Sequence, residues 1–393
     1  MARASARRFA RLLCVTVASG LVLSGCDWTM FRYGPARTGF DPTESRIGTA
    51  NVDGLQQRWL GGTAAFDSIL ASPAVANGAA YVTSNRTLYA FKAGAGSAAR
   101  CSGSPKVCVP LWTATTGGFI GASPAVVNGV AYIGSSDGKL YAFDATGNTN
   151  CSGNPKTCTA LWTAPTGGLD SSPAVSGGIV YVGSGDRLYA LDAAGNTNCS
   201  GNPKTCTPLW SARTGGTVLS SPAVVNRAAY VGSSDGKLYA FDATGNTNCS
   251  GSPKTCTPLW TAATGDMITT QSPAVAHGVV YIASFDHKLY AFDAAGSTNC
   301  SGNPRTCTPL WTATPGGGTG GFRSPAVANG VVYIGAVGQL LAYDALGSTN
   351  CSGNPRTCTP LWSASRDGLN PIVANGIVYL GSTDGNLYAY GLP

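Results

Sequence analysis

Glutamate is nearly missing from this 393-residue chain: Glu44 is the only one. Histidine is almost as scarce, with His277 and His287 alone, and charged residues of all kinds make up 11%. These shortages leave little material for acid–base catalysis or for a metal centre of imidazoles and carboxylates. No stretch repeats its apolar residues at a helical period. Past residue 25, no apolar run approaches the roughly 20 residues that a membrane-spanning helix needs. Four of the 25 basic residues (Arg3, Arg7, Arg8 and Arg11) lie in the first 25 positions, so the remainder carries 21 − 18 = +3. That is too weak a balance to argue for a nucleic-acid partner.

What the chain has instead is repetition. Residues 123–162 recur with small changes almost to the C-terminus. The opening motif falls at Ser72, Ser123, Ser172, Ser221, Ser272 and Ser324, with a degenerate seventh copy at Asn370. A chain built this way is one repeat domain, not two or three domains as its length alone implies. Within a copy, Ser123–Val127 and Val130–Gly134 flank Asn128-Gly129, the dipeptide of a two-residue type I′ hairpin. Asp137-Gly138 marks a second turn, Leu140–Asp144 a third strand, and Leu161–Ala164 a fourth. Four short strands per copy predict an all-β fold: a β-propeller of four-stranded antiparallel blades.

Six copies end in a tryptophan strand, at Trp112, Trp162, Trp210, Trp260, Trp311 and Trp362. The seventh reaches Tyr388-Ala389-Tyr390 without one, whereas Leu55–Trp59 stands upstream as an orphan strand of that type. The expectation is therefore seven blades over residues 55–393, the N-terminal strand completing the C-terminal blade so that no sheet edge stays open.

Residues 1–25 read as an export signal: a basic start, then the short apolar run Leu12–Leu23. Leu23-Ser24-Gly25-Cys26 resembles a bacterial lipobox, which implies cleavage before Cys26 and a lipid anchor on its thiol. Residues 26–54 are then expected to be a tether.

Cysteine is plentiful. Beyond Cys14 and Cys26, twelve cysteines form six C-x6-C pairs: Cys101/Cys108, Cys151/Cys158, Cys199/Cys206, Cys249/Cys256, Cys300/Cys307 and Cys351/Cys358. In an exported chain these read as local disulfides, each framing a loop between strands three and four. Zinc is the rival, but two thiolates with no nearby histidine or carboxylate make a poor site.

Gly-x-Leu-Tyr-Ala-Phe-Asp-Ala-x-Gly followed by Leu-Trp resembles the PQQ-type propeller repeat with its tryptophan-docking pattern. Asp27–Arg32 with Arg37-Thr38-Gly39 resembles the lead segment of exported propellers of this kind. The family separates docking glycine and tryptophan by four residues; here Gly147 and Trp162 are fifteen apart, which puts that docking in question. The resemblance implies two functions, quinoprotein dehydrogenase or propeller lipoprotein of the outer-membrane β-barrel assembly machinery. The alcohol-oxidising members place adjacent cysteines beside the quinone and need carboxylates for a base and for Ca²⁺. No two cysteines are adjacent here and the sole glutamate lies in the tether, so no cofactor is expected.

Other catalytic signals weaken in context. Gly134–Gly138 and Gly232–Gly236 match G-x-S-x-G, but a nucleophile elbow needs a strand entering a helix. His277 and His287 occupy turn positions and are expected to face solvent. Asp144, Asp192, Asp242, Asp293 and Asp344 recur at one blade position and read as turn carboxylates.

The copies differ most in the loops from strand four to the next strand one. These carry Phe66 and Asp67, Phe119 and Ile120, Leu169 and Asp170, Val218 and Leu219, Met267 and Ile268, Phe322 and Arg323, and Arg366 and Asp367. Ringed around one channel mouth, they form a candidate partner surface; the alternative is that they plug the channel or pack against the next blade. Lys106, Lys156, Lys204, Lys254, Arg305 and Arg356 are expected as a ring of cations on the opposite face. The expected function is a non-catalytic, lipid-anchored scaffold for envelope proteins, with a cell-surface recognition or adhesion module as the alternative.

Overall fold

The computed structural model describes residues 28–41, 60–61, 71–93, 101–103, 107–168, 171–314, 323–336, 338–365, 370–374, 377–381 and 387–391. The described residues form short strands and turns, with no helix among them.

Each copy folds as an antiparallel meander. In the second, Ala125–Val127, Val130–Ser135 and Lys139–Asp144 are followed by Trp162–Pro165. Asn128 and Gly129 have φ of 51° and 77°, the two positive values of a type I′ turn. Tyr132 sits opposite Ala142, and Ala142 opposite Trp162. A small residue between two large ones lets the rings tilt together, with centroids 6.0 Å apart.

Seven such three-stranded meanders follow one another, and six gain the tryptophan strand. The first strands of successive copies lie side by side. The apolar core is not one central mass but a set of layers between neighbouring sheets. One layer, for example, joins Tyr81 and Trp112 of the first copy to Ile133, Tyr141 and Phe143 of the second. Sheets buried on both faces around a common axis make a β-propeller.

Two features depart from expectation. The first is the place of the disulfide loops. All six C-x6-C pairs are disulfides, but they do not simply frame a loop between strands three and four of one blade. Cys151–Ser152 and Lys156–Cys158 form a small hairpin that lies along the outer edge of the preceding blade, parallel to Trp112–Thr115. Five sheets are six-stranded for this reason. Each hairpin covers an otherwise open edge and ties two blades together.

Burial of the cysteines differs from that of a surface loop for the same reason. The second cysteine of every pair is core: Cys108, Cys158, Cys206, Cys256, Cys307 and Cys358 are all between 1% and 4% exposed. Cys158, Cys206, Cys256, Cys307 and Cys358 each join the apolar layer that holds the tryptophan of the preceding copy. Their partners Cys151, Cys199, Cys249, Cys300 and Cys351 pack against those layers half-buried. A bridged sulfur has no proton to donate and behaves as an apolar group, so it is buried without leaving a donor unmet. The disulfides therefore contribute packing between blades as well as closing their own loops.

The second departure is tryptophan docking, which survives the inserted loop because it runs between blades. Trp112 donates its indole N–H to the Ala145 carbonyl of the next copy at 3.1 Å, and Tyr81 donates its hydroxyl to the same oxygen at 3.0 Å. Trp210, Trp260 and Trp311 repeat the bond. Long sequence separation within one copy is irrelevant when the partner glycine belongs to the neighbour.

At the ring's seam, Leu60–Gly61 pairs in parallel with Val107–Cys108, the register that Thr113-Ala114 keeps with Thr157-Cys158. It therefore takes the place of a tryptophan strand ahead of the first copy. Leu55–Trp59, expected to close the seventh blade, lies outside the described residues, as do residues 1–25 and Cys26. On the other side of the seam no C-x6-C hairpin follows Trp362–Ala364, whose outer edge carries no further strand among the described residues. Trp362 is accordingly 41% exposed, whereas Trp112 is 1% exposed.

Candidate functional site

Residues 28–41 are not a tether. They wind once around the inner wall of the propeller and fill its channel. The unpaired inner-edge amides explain why: Val75, Val126, Val224, Val275, Val327 and Val373 donate in turn to the carbonyls of Trp28, Thr29, Pro35, Ala36, Thr38 and Gly39. Phe40–Asp41 then pairs in parallel with the seventh copy. The third copy is met by a side chain instead. Arg37, fully buried, donates to the Ser172 and Pro173 carbonyls (both 3.0 Å), to Pro222 O at 2.9 Å and to Phe31 O at 2.6 Å. Arg32, also buried, donates to Arg37 O at 3.3 Å and to Pro325 O. Neither guanidinium has a carboxylate partner among the described ion pairs. Burial pulls both pKa values down to about 9, that of Arg37 with help from Arg32, so both remain cationic at neutral pH.

A belt of hydrogen bonds surrounds this plug. The Ser72 amide donates to Ser123 Oγ (3.0 Å), Ser123 to Ser172 (3.0 Å), Ser172 to Ser221 (3.1 Å), Ser221 to Ser272 (3.1 Å) and Ser272 to Ser324 (2.9 Å). Ser324 donates to Asn370 Oδ1 at 2.8 Å. The serine that opens each repeat copy is thus a blade-to-blade fastener. In the sequence it is visible only as a copy marker.

A polar vestibule of about 260 Å³ adjoins the belt, lined by Phe31 and most of the repeat openings. Of the variable loops, those carrying Gly121, Leu219, Thr270 and Arg323 line this vestibule. The variable-loop residues divide into two kinds. Ile120, Val218 and Ile268 are buried in inter-blade layers, so for them the packing alternative holds. Phe119 and Met267 are exposed, at 42% and 44%, because the buried neighbour anchors the loop and turns the preceding side chain outward. Leu219 is half-buried and Arg323 exposed at the vestibule. Phe66, Asp67, Leu169, Asp170, Phe322, Arg366 and Asp367 lie outside the described residues. Sequence reading missed Phe285, exposed and with its amide bonded to Met267 O at 2.9 Å. It stands where other copies have Ser136 or Ser234, and that substitution was the available signal.

The remaining candidates have structural work. Asp144 accepts from the amides of Thr146, Asn148 and Thr149 at 2.9, 3.0 and 2.6 Å, the Asx-type capping expected of a turn carboxylate. Partial burial opposes ionisation of its equivalents, but these bonds outweigh it and hold Asp242, Asp293 and Asp344 down at about 2. The hairpin cations are not free rim charges: Lys156 donates to Gly147 O at 2.8 Å, and Lys204, Lys254, Arg305 and Arg356 do the same to the matching glycine carbonyls. Lys106 lies outside the described residues. Both G-x-S-x-G runs sit at turns between antiparallel strands. His277 is exposed, as expected; His287 is half-buried, with Nδ1 unbonded. No cluster of three or more histidine, cysteine or acidic side chains occurs among the described residues.

The class so defined is a PQQ-type β-propeller with a plugged channel and disulfide clamps between blades. Residues 151–392 match the PQQ_2 family, described as outer membrane protein assembly factor BamB, and the chain belongs to that family. No curated protein sequence matches it. Among solved structures it is similar to BamB from Moraxella catarrhalis, with a TM-score of 0.59 at 17% identity, covering 84% of both chains. It is also similar to the quinohemoprotein alcohol dehydrogenases of Comamonas testosteroni and Pseudomonas putida. Their TM-scores are 0.67 and 0.65 at 16% and 15% identity, covering 94% of this chain and 72% and 71% of theirs. At these identities the likeness is one of fold. The fold is shared by an assembly factor and by dehydrogenases, so it does not choose between them.

Proposed function

We propose that this protein is a non-catalytic propeller, exported and lipid-anchored through Cys26, that holds a protein partner on the mouth ringed by its variable loops. The observation that carries this reading is the set of exposed apolar side chains Phe119, Met267 and Phe285, the first two beside the buried anchors Ile120 and Ile268. Large apolar groups presented on rigid supports at one face suit a protein surface better than solvent. Membership of a family described by an outer-membrane assembly factor supports a role in envelope protein assembly. The plug of residues 28–41 supports a non-enzymatic role, since it fills the channel with its own backbone and two arginines.

A second reading, a recognition or adhesion module on the cell surface, draws support from the six disulfides, which suit an oxidising exterior. One experiment separates the possibilities: photo-crosslinking in cells with reactive residues at Phe119 and Met267, and a control at Lys204. A dominant adduct from the mouth alone, with an envelope-assembly protein, is the expected result. Equal labelling from Lys204, or no adduct from the mouth, would remove the partner face. Protease accessibility on intact cells would favour the surface module.

A further inference from the structure

The tryptophan strands of copies one to five are each covered by the disulfide hairpin of the following copy, and the first hairpin covers Leu60–Gly61. That uses all six C-x6-C pairs of the sequence. The strand left over is Trp362–Ala364, in a sheet of four strands where its equivalents have six. Leu361, Trp362 and Ser363 are exposed there.

The five covered edges show what such an edge accepts. In each, the incoming strand runs parallel and sets a threonine opposite the residue after the tryptophan: Thr157, Thr205, Thr255, Thr306 and Thr357. That residue turns its amide outward, since Ser211 donates to Lys254 O and Thr261 to Arg305 O, both at 3.0 Å. Ser363 holds the same place after Trp362, so its amide faces out from the uncovered edge. An apolar cavity of about 340 Å³ lies beside it, lined by Leu361 and Trp362 with Tyr333, Ala342, Val378 and Tyr390. Between the second and third copies, the counterparts Tyr132, Ala142, Trp162, Val180 and Leu191 close into one layer with Ala193 and Cys206. Cys206 belongs to the hairpin that covers the second copy's edge. The counterpart of Ala193 is residue 392, outside the described residues, and no cysteine pair of the sequence remains to supply a counterpart of Cys206.

We propose that this edge accepts an extended segment of another polypeptide, added as a fifth strand parallel to Trp362–Ala364. The outward amide of Ser363 donates to its main chain. A small apolar side chain opposite Ala364 enters the cavity, as Cys158 does opposite Ala114 in its own layer. Strand addition takes its affinity from main-chain bonds and its specificity from such pockets. An open sheet edge beside exposed tryptophan is the kind of surface that pairing covers. The site shares no residue with the vestibule and does not depend on a partner there.

The test uses the full chain and, as probe, the disulfide-closed peptide of residues 198–208, with a scrambled peptide as control, read by calorimetry and hydrogen exchange. The closed peptide is expected to bind at one site and to slow exchange of residues 361–365 at least tenfold, leaving Trp112–Thr115 unchanged. Ser363→Pro removes the outward amide where an edge strand tolerates proline. It is expected to weaken the peptide at least tenfold at an unchanged thermal midpoint. A second variant replaces residues 391–393 by the sequence of residues 192–208, which supplies a seventh hairpin in cis. It is expected to protect residues 361–365 and to bind no peptide. Binding that persists in Ser363→Pro or in the capped chain would place the peptide elsewhere and overturn the assignment. So would a parent chain whose residues 361–365 exchange freely and bind no peptide. Slow exchange of those residues in the dilute parent alone would show that the chain covers its own edge. A dimer that Ser363→Pro dissociates would make the occupant a second copy, and either result overturns the proposal.

Discussion

Gly147 lies against the indole of Trp112, so closely that a Cβ placed on it would stand 2.2 Å from Trp112 Cδ1. Its φ of 69° is one that L-residues rarely adopt. Sterics and backbone thus demand glycine independently, at the joint where one blade meets the next. Gly147→Ala is expected to cost about 2–4 kcal/mol, from the strained φ together with displacement of a buried ring. Urea unfolding measures it. A loss below about 1 kcal/mol would mean that the blades are held by their edges, not by docking.

Arg37 leads to a second prediction because four carbonyls from three parts of the chain depend on one side chain. Arg37→Met removes the charge but keeps much of the volume, leaving the Ser172, Pro173, Pro222 and Phe31 oxygens without that donor. The expected loss is about 3 kcal/mol or more, since buried acceptors stripped of a charged partner bear most of the penalty. Proteolysis should then cut within residues 28–41 before the blades. A variant as stable as the parent, with an uncut N-terminal segment, would show that the backbone bonds alone hold the plug.

The disulfides give a third. Each links residues seven apart, a loop short enough that entropy alone gives about 2–3 kcal/mol per bridge. Replacing Cys151 and Cys158 together by alanine should cost at least about that much, because Cys158 is also buried in the layer around Trp112. It should also raise hydrogen exchange at Trp112–Thr115, whose outer edge the hairpin covers. Exchange confined to the hairpin itself would mean that the clamp does not hold the blade edge.

These relationships mark what the sequence could and could not tell. The blade meander was legible because Asn128-Gly129, the β-branched and aromatic run Val130–Gly134 and the period of the serines are local signals. Docking between Trp112 and Gly147 was obscured because a neighbour-to-neighbour contact cannot be inferred from spacing inside one copy. The cysteines were half legible in the same way. Their spacing gave the pairing, but burial of Cys206, Cys256, Cys307 and Cys358 depends on a preceding blade that lies about fifty residues back. The plug was hidden for a similar reason. Residues 28–41 carry no strand pattern of their own, since their order comes from the inner edges of distant copies. At the rim, variability located the loops, but nothing in Phe119-Ile120 says which of two apolar neighbours turns inward.

The pH dependence of stability gives a fourth prediction. The carboxyls of Asp242, Asp293 and Asp344 sit at about 2 in the folded protein, below their ordinary 3.8. On acidification the unfolded chain therefore takes up these protons first. The stability they contribute is whole above about pH 4 and is lost as pH falls through about 2. Urea midpoints between about pH 6 and 2 should fall most steeply below about pH 4, and Asp242→Asn should flatten part of that fall. Parallel curves for the two proteins would show that other carboxyls govern the acid limb.

The adjacent pair Phe119 and Ile120 offers the sharpest test of how the mouth works. Ile120 is buried among first- and second-copy side chains, and Ile120→Ala is expected to cost about 2–4 kcal/mol through the cavity it leaves. Phe119 projects outward, so Phe119→Ala should change stability by no more than about 0.5 kcal/mol. The same contrast should separate Ile268 from Met267. If Phe119 and Met267 form the partner surface, their alanine variants should lose the crosslinked or co-purified partner while unfolding like the parent. Loss of partner in the anchor variants alone, with Phe119→Ala binding normally, would mean that loop shape and not the exposed aromatic is recognised. A large destabilisation from Phe119→Ala would place that ring in the fold instead of on its surface.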